Sequence, residues 1–481
     1  MATLEVPESG RGNPDGWRAL IRPPHLGPML VLAGGVALYA INVYLTTSLL
    51  PSAVEEIGGS RLYAWNTTVF LLASVMSSVL VGRLLASRSG RVAYLLAIGL
   101  FVVGTLICAA APTMVVLLLG RAVQGFGGGL LAGLAYALIR STLPAALWSR
   151  GSALVSAMWG VGTFIGPALG GAFAQYGSWR GAFWALALVG LLIAAAVPLV
   201  LSTARTGEGP AGFPLVALIL LSAAALVISV ASLIATPTVS VLGVLLGAGL
   251  VVAFLGYERR AQRAPSRVRV LPAATFAGRS ALPWIYLTIA LLSIGSTTET
   301  FVPLFGQRLL GLAPLAAGFL GAALAAGWTL GELPSAEASR PVVTERIVVA
   351  APLVLALGLA MVGALALCTG RTDSGWVIGG WVLALLIAGA GIGIAWPHLA
   401  TGAMSAVHDP AEGDKASAAI NTVQLVANAF GASLTGVAVN LAGTDLPRAA
   451  GYLFGGFAVL TALGVGASVS IVIATRRAAS S

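Results

Sequence analysis

Apolar residues fall in fourteen runs of about 20 residues, broken by short polar intervals. The runs lie at 27–50, 64–86, 92–111, 114–139, 152–173, 182–202, 212–235, 238–256, 283–306, 314–334, 346–368, 376–397, 416–440 and 449–474. A helix rises about 1.5 Å per residue, so about 20 apolar residues cross the hydrocarbon core of a bilayer. The runs do not alternate with a period of two, and lipid tolerates strands only as closed barrels. The pattern therefore predicts an all-α polytopic membrane protein with fourteen transmembrane helices.

An even number of spans returns the chain to its starting side. Twenty cationic side chains then fall on the side of the termini and five on the other, with Arg121 inside a span. Cytoplasmic loops carry the excess of positive charge, so both termini are expected in the cytoplasm. Residues 1–25 hold six charged side chains and no apolar core, so no signal peptide is read there and the first helix is expected to direct its own insertion.

Composition agrees with a lipid solvent. Of 481 residues, 58% are hydrophobic and 9% charged. A soluble domain carries about a quarter charged residues, so a soluble enzyme is excluded. The net charge of +10 comes almost wholly from arginine, since Lys415 is the only lysine. These charges sit in short loops, which orients helices and does not build a nucleic-acid surface. Cys108 and Cys368 are too few for a disulfide framework or a zinc site and read as small apolar side chains.

The longest polar interval, from Glu258 to Arg279, is basic and follows two helices almost devoid of polar groups. The expected layout is a tail at 1–25, a six-helix bundle at 26–202, two linker helices at 203–257, a basic loop at 258–281, a second bundle at 282–475 and a tail at 476–481. The bundles show weak similarity. Helix one ends Thr46-Thr47-Ser48-Leu49-Leu50-Pro51, and the first helix of the second bundle ends Thr297-Thr298-Glu299-Thr300-Phe301-Val302-Pro303. Parallel six-helix repeats place a substrate site at their interface near the midplane.

Few polar groups lie within the spans. A buried Arg costs about 2.5–3.5 kcal/mol on the most lenient scale, so Arg121 should face a cavity or a partner, or bond backbone carbonyls as a structural group. Glu299 is the one carboxyl clearly inside a span; it either takes up a proton there or reaches the outer interface. Glu332, at the inner end of the next helix, is expected as an interfacial or loop-latch group, and His398 as an interfacial anchor. Asn421, Gln424 and Asn428 share one helix face, and Asn42 and Thr46 form a shorter one; each face lines a cavity or bonds a neighbouring helix. Gly162, Gly166 and Gly170 form a stripe beside Pro167, suited to rocking of a bendable helix or to tight static packing. The Gly125–Gly129 run lacks the Lys-Ser/Thr of a phosphate loop, and no nucleotide motif is present.

Helix four reads Gly120-Arg121-Ala122-Val123-Gln124-Gly125, helix five Gly162-x-x-x-Gly166-Pro167-x-x-Gly170-Gly171, and helix six opens Trp179-Arg180 before Phe183-Trp184. Together these resemble the major facilitator superfamily, in particular its fourteen-helix drug:proton antiporter branch. The resemblance implies two six-helix bundles plus two central linker helices, a role in proton coupling for Arg121, and a cavity in which helices one and seven face each other, so that Glu299 is placed to carry the proton. Gln124 joins Asn42, Thr46, Asn421, Gln424 and Asn428 as expected cavity lining. Two departures stand out. The acidic residue expected in helix one is Asn42, which cannot titrate. The loop after helix two keeps Gly82, Arg88, Gly90 and Arg91, but its expected Asp falls on Ser87 or Ala86.

The expectation is a secondary transporter of the inner (plasma) membrane, a monomer that exports lipophilic or amphipathic compounds by alternating access coupled to protons. Its partners would be a small lipophilic substrate, protons and membrane lipids, with no cofactor, metal or nucleic acid. A lipid or glycolipid exporter of the same fold is the alternative. An integral membrane enzyme would need a carboxylate cluster or nucleophile–base pair in the spans, which one Glu and one Arg do not supply.

Overall fold

The computed structural model describes Arg18, Leu20, Arg22, Pro23 and residues 25–144, 147–203, 214–234, 236–263, 269–278, 280–338, 340–369, 372–407 and 410–479. Among these, every regular element is helical. Thirteen helices are long and apolar enough to cross a membrane, and fourteen when one bent pair counts as a span. They are α1 (Leu26–Ile57), α2 (Ser60–Ser78 with Val81–Ser87), α3 (Gly90–Ala109), α4 (Met114–Thr142), α5 (Trp148–Tyr176), α6 (Trp179–Val200), α7 (Leu215–Ser232), α8 (Pro237–Ala261), α9 (Leu282–Arg308), α10 (Pro314–Ser335), α11 (Pro341–Thr369), α12 (Gly375–Ser405), α13 (Pro410–Asn440) and α14 (Leu446–Arg477). All fourteen apolar runs of the sequence fall on these helices. The basic loop lies partly outside the described residues, as do most of the N-terminal tail and Arg371.

Local chemistry explains the irregularities. Gly58 and Gly59 end α1 with φ of 71° and 82°, a left-handed stretch open to glycine without strain. The pieces of α2 meet at 44°. Just before the bend, Ser77 and Ser78 hydroxyls donate to the carbonyls of Ser74 and Val75, which competes with the helical ladder. In α9, Ser296, Thr297 and Thr298 make the same three-residue back-bonds, and Pro303 has no N–H to give to the Glu299 carbonyl four residues back. The chain answers with a 3₁₀ turn over Thr297–Phe301, in which Val302 N–H satisfies Glu299 O instead.

We call the side with Leu26 and Arg477 the terminal face and the side with Ile57 and Arg308 the distal face. Within the first six helices α1 packs on α5, α3 on α4 and α6, and α2 on α4; within the last six α12 packs on α10 and α11, and α9 on α13. The groups meet along two seams, α5 and α1 against α10, and α2 against α13. Each seam joins the second helix of one group to the fifth of the other, as a twofold pseudo-repeat requires. The α7–α8 pair lies over the second seam. Trp65 on α2 donates its indole N–H to Ser229 O, Ser229 donates to Ser433 on α13, and Asn440 Nδ2 donates to Ser232 O. Glu258, expected to open the basic loop, is instead fully buried in the last turn of α8, where it accepts the N–H groups of Val270 and Leu271.

Close helix contacts depend on glycine. A Cβ on Gly389 would overlap the Leu324 carbonyl, and one on Gly393 the Trp328 carbonyl, so α12 and α10 touch backbone to backbone. A carbonyl in a packed helix cannot swing aside, and overpacking costs about 1–3 kcal/mol, more than the roughly 1 kcal/mol of helix propensity alanine adds. Gly389→Ala is expected to lower the thermal midpoint of the purified protein. Gly249→Ala on α8, where nothing lies within 4 Å, should leave it unlowered or raise it slightly.

Candidate transport pathway

The apolar core shows where the halves join. Distal residues of the first half, among them Leu45, Leu49, Tyr63, Cys108 and Phe183, belong to one cluster with the core of the second half. The terminal portion of the first half, from Met29 and Leu32 to Leu138 and Val155, forms a cluster of its own. The halves are therefore fused at the distal end and separate at the terminal end. At α5 the change occurs near Pro167. Gly171 packs on Leu315 Cα, Gln175 Oε1 accepts the N–H of Leu315, and Tyr63 stacks on Phe301 with centroids 4.7 Å apart. Further toward the terminal face the same side of α5 carries Phe164, Gly160 and Ser156, all exposed.

An ion pair crosses the distal end. Arg308 at the end of α9 lies 2.6 Å from Glu55 at the end of α1, both about half exposed. Its neighbour Glu56 turns into its own half, accepting from Arg180 and from the Trp179 indole at 2.6 Å. An exposed pair contributes about 0.2–1 kcal/mol, a factor of up to about five in a two-state balance. Arg308→Glu is expected to raise, severalfold, the rate at which a membrane-impermeant maleimide labels Thr47→Cys from the distal side in a Cys368→Ser background. Adding Glu55→Arg should bring the rate back toward its starting value.

Just inside this closure lies a cavity of about 10 Å³, the size for a single water, between α1, α5, α9 and α10. Glu299 lines it from the 3₁₀ turn of α9, facing Tyr44, Thr47 and Ser48 of α1, Pro167 of α5 and Gly318 of α10. Among the described residues no ion pair involves Glu299. The turn that frees the Glu299 backbone from the regular ladder thus also places its carboxyl on the seam.

Of the alternatives for Arg121, a cavity, a partner or backbone carbonyls, the structure places it among partners. It is 2% exposed and held by acceptors from three helices. Its Nη1 donates to Gln124 Oε1 at 2.6 Å, to Asn42 Oδ1 at 3.2 Å and to Thr46 Oγ1 at 3.4 Å, and its Nε donates to Asn66 O at 3.3 Å. The guanidinium lies 4.0 Å from the centroid of Phe70, and Gln124 Nε2 donates onward to Thr105. Asn42, Thr46 and Gln124 are fully buried, so the assignment of these three to a cavity wall is corrected. A buried guanidinium has five donors to satisfy, and the nearest acceptors are these side chains. Asn66 and Thr105 escaped the sequence analysis, since their part in the network depends on which helices pack together.

On α13, Asn421 is exposed and Gln424 and Asn428 are half-buried. They lie between the stripe that meets α9 at Gly431 and the stripe that meets α7 and the α1–α2 turn at Ser433 and Gly436, which turns them toward the space between the halves. No hydrogen bond ties the three to a neighbouring helix among the described residues, and Asn428 Oδ1 is buried without a partner. The glycine stripe of α5 packs inside its own half. A Cβ on Gly162 would meet Ala40, on Gly166 Tyr44, and on Gly170 Leu45. Pro167 and Gly171, next to the stripe, face the other half, since Pro167 lies beside Gly318 and Gly171 on Leu315. Of the residues expected in the loop after α2, Gly82 lies exposed in the second piece of α2, Arg88 is exposed between the helices, Gly90 opens α3 and packs under Leu138, and Arg91 on α3 donates from Nε to Leu201 O at 2.7 Å. Arg91 thereby anchors α3 to the end of α6 within one half.

A sequence model of the Major Facilitator Superfamily matches residues 32–432. The chain belongs to this superfamily. Along its length this major facilitator is 52% identical over 470 residues to a probable multidrug-efflux transporter of Mycobacterium tuberculosis, covering 96% of this chain and 97% of that one. An uncharacterized MFS-type transporter of the same organism is 30% identical over 283 residues, covering 57% of this chain and 40% of its own length. Solved structures share the fold at low identity. A POT family transporter in complex with a thioalcohol-conjugated peptide matches with a TM-score of 0.66 at 15% identity, over 93% of this chain and 96% of that one. A bacterial homolog of the human lysosomal transporter Spinster, in an inward-facing and occupied conformation, matches with a TM-score of 0.61 at 16% identity, over 97% and 98%. The family and the relatives make this chain a transporter and not an enzyme.

Proposed function

We propose that this major facilitator is a proton-coupled exporter of lipophilic and amphipathic compounds in the plasma membrane. Residues 26–202 and 282–475 rock against each other, with the terminal face toward the cytoplasm. The 52% identity to a probable multidrug-efflux transporter over nearly the whole chain supports the substrate class. The observation that carries the coupling is the place of Glu299, a carboxyl with no ion pair among the described residues, in a water-sized cavity on the seam that must part. A carboxylate charge enclosed there without a partner costs several kcal/mol, whereas the neutral acid does not. Closing the distal end then favours the protonated form, and opening it exposes the group to a proton from outside. Substrate reaches the cleft at the terminal end, past Asn421, Gln424 and the exposed Trp159, and leaves when the distal end opens.

The test is transport in proteoliposomes. Imposing a pH gradient should drive uptake of a lipophilic dye against its concentration gradient, and a protonophore should collapse that uptake to passive leak. Dye movement unaffected by the protonophore would overturn the coupling. Dye movement equal to that of empty liposomes would overturn the exporter itself.

A further inference from the structure

Trp328 and Glu332 stand one turn apart on α10, so they share a side of the helix. Trp396 on α12 reaches them because the glycines of α12 bring the two helices into backbone contact there. The Trp328 and Trp396 rings lie with centroids 5.0 Å apart and planes at 55°. Trp328 Nε1 donates to Glu332 Oε2 at 3.0 Å. All three side chains are partly exposed, and no ion pair involves Glu332 among the described residues.

The direction of this group follows from the helix period. Glu332 lies eleven and fourteen residues after Gly321 and Gly318, close to three and four full turns. Gly318 and Gly321 line the distal seam cavity, so Glu332 shares the face that meets the first half there. Near Glu332 the halves have already diverged, and that face is open, with Thr329 exposed one turn before. The cluster therefore stands at the terminal-face mouth of the cleft.

Its chemistry selects a charge. The faces of indole rings are negative and attract organic cations, and the Glu332 carboxyl, whose shown bond is to a neutral indole N–H, has no cationic partner among the described residues. We propose that Trp328, Trp396 and Glu332 form a binding site for lipophilic organic cations at the entrance to the cleft. Two aromatic faces take the apolar body of the ligand, and Glu332 supplies the counter-charge within the low-dielectric mouth. A lipophilic anion of the same shape meets the carboxylate and is excluded. The proposal rests on the exporter reading for its purpose, but binding is tested apart from transport.

Tetraphenylphosphonium and tetraphenylborate have nearly the same shape and opposite charge. Equilibrium dialysis of the purified, detergent-solubilised protein should show tetraphenylphosphonium bound and tetraphenylborate bound at least tenfold more weakly. Glu332→Gln and Trp396→Leu should each weaken phosphonium binding about tenfold. Trp396→Phe, which keeps an aromatic face, should weaken it only about two- to threefold. If Glu332→Gln lowers the thermal midpoint, Glu332→Asp decides, since it keeps the charge and should retain most of the binding. Unchanged phosphonium affinity in Glu332→Gln, equal binding of both ions by the unaltered protein, or loss of binding in Glu332→Asp equal to that in Glu332→Gln would each overturn the site. Retained phosphonium binding without pH-driven phosphonium transport would count against the exporter reading and leave the site standing.

Discussion

Glu299→Gln is expected to abolish pH-driven efflux while leaving substrate exchange nearly intact. Glutamine matches the shape of the protonated acid, and no ion pair of Glu299 is lost. The cavity between Tyr44, Ser48, Pro167 and Gly318 is therefore kept, and the distal seam closes as before. What disappears is the one carboxyl that lines that cavity among the described residues. In proteoliposomes the rate of dye uptake driven by a pH gradient should fall at least tenfold, to within about twofold of the rate with a protonophore. Counterflow, in which dye inside exchanges for dye outside with no net proton movement, should stay within about twofold of the unaltered protein. Equal loss of both activities would make Glu299 a structural residue of the seam. Retention of both would move the coupling elsewhere.

The departure at helix one and the position of Glu299 are two sides of one arrangement. Where the family resemblance places an acid, Asn42 offers a neutral oxygen to Arg121. A carboxylate at that site would bind the guanidinium as an ion pair buried on all sides. The amide satisfies the same donor without a charge to titrate. The first half thus keeps a buried cation among neutral acceptors, and the titratable carboxyl stands across the seam on α9. Since Glu299 faces α1 directly, a change in its charge acts on the contact between the halves and not within one of them.

The fourteen helices were legible because lipid imposes one long apolar run per span, and the basic loops fixed their alternation. Their fine structure was less so. The bend of α2 and the 3₁₀ turn of α9 arise where serine and threonine compete for backbone carbonyls, and hydropathy does not register that competition. Helical spacing correctly grouped Asn42 with Thr46 and Asn421 with Gln424 and Asn428, but spacing says nothing about what a face meets. One face met a buried guanidinium, and the other makes no hydrogen bond to a neighbouring helix among the described residues. The Glu55–Arg308 pair was invisible because its partners lie on helix ends far apart in sequence, although opposite charges at the distal ends of α1 and α9 were a usable sign. Glu258 was placed at the start of the basic loop because a polar residue ends the apolar run there, although the helix continues to Ala261 and its carboxyl meets the backbone at Val270 and Leu271.

Arg121→Ala is expected to destabilise the protein and to stop transport under every driving force. Two opposing terms decide the sign. Removing a buried guanidinium recovers about 2.5–3.5 kcal/mol of insertion cost. Against this, Gln124 Oε1 loses its shown donor, at about 1–3 kcal/mol for a buried group left unsatisfied, while Asn42 Oδ1 keeps the Thr46 hydroxyl and Asn66 O its place in the helix. The ring of Phe70 also loses its cation, and the void left by the side chain adds a cavity cost. The void left by so large a buried side chain, at about 3–5 kcal/mol, together with the lost contacts outweighs the gain. The network joins α1, α2 and α4, so its failure should loosen the first half as a unit. Thermal denaturation followed by loss of monodisperse protein should shift to lower temperature, and both pH-driven efflux and counterflow should fall together. Arg121→Lys keeps the charge but cannot reach four acceptors with one ammonium, and it should fall between the two. A variant with a normal midpoint that loses only pH-driven efflux would assign Arg121 to the proton path. The joint loss expected here would mark it as the residue that holds the first half in register, apart from the proton site proposed at Glu299.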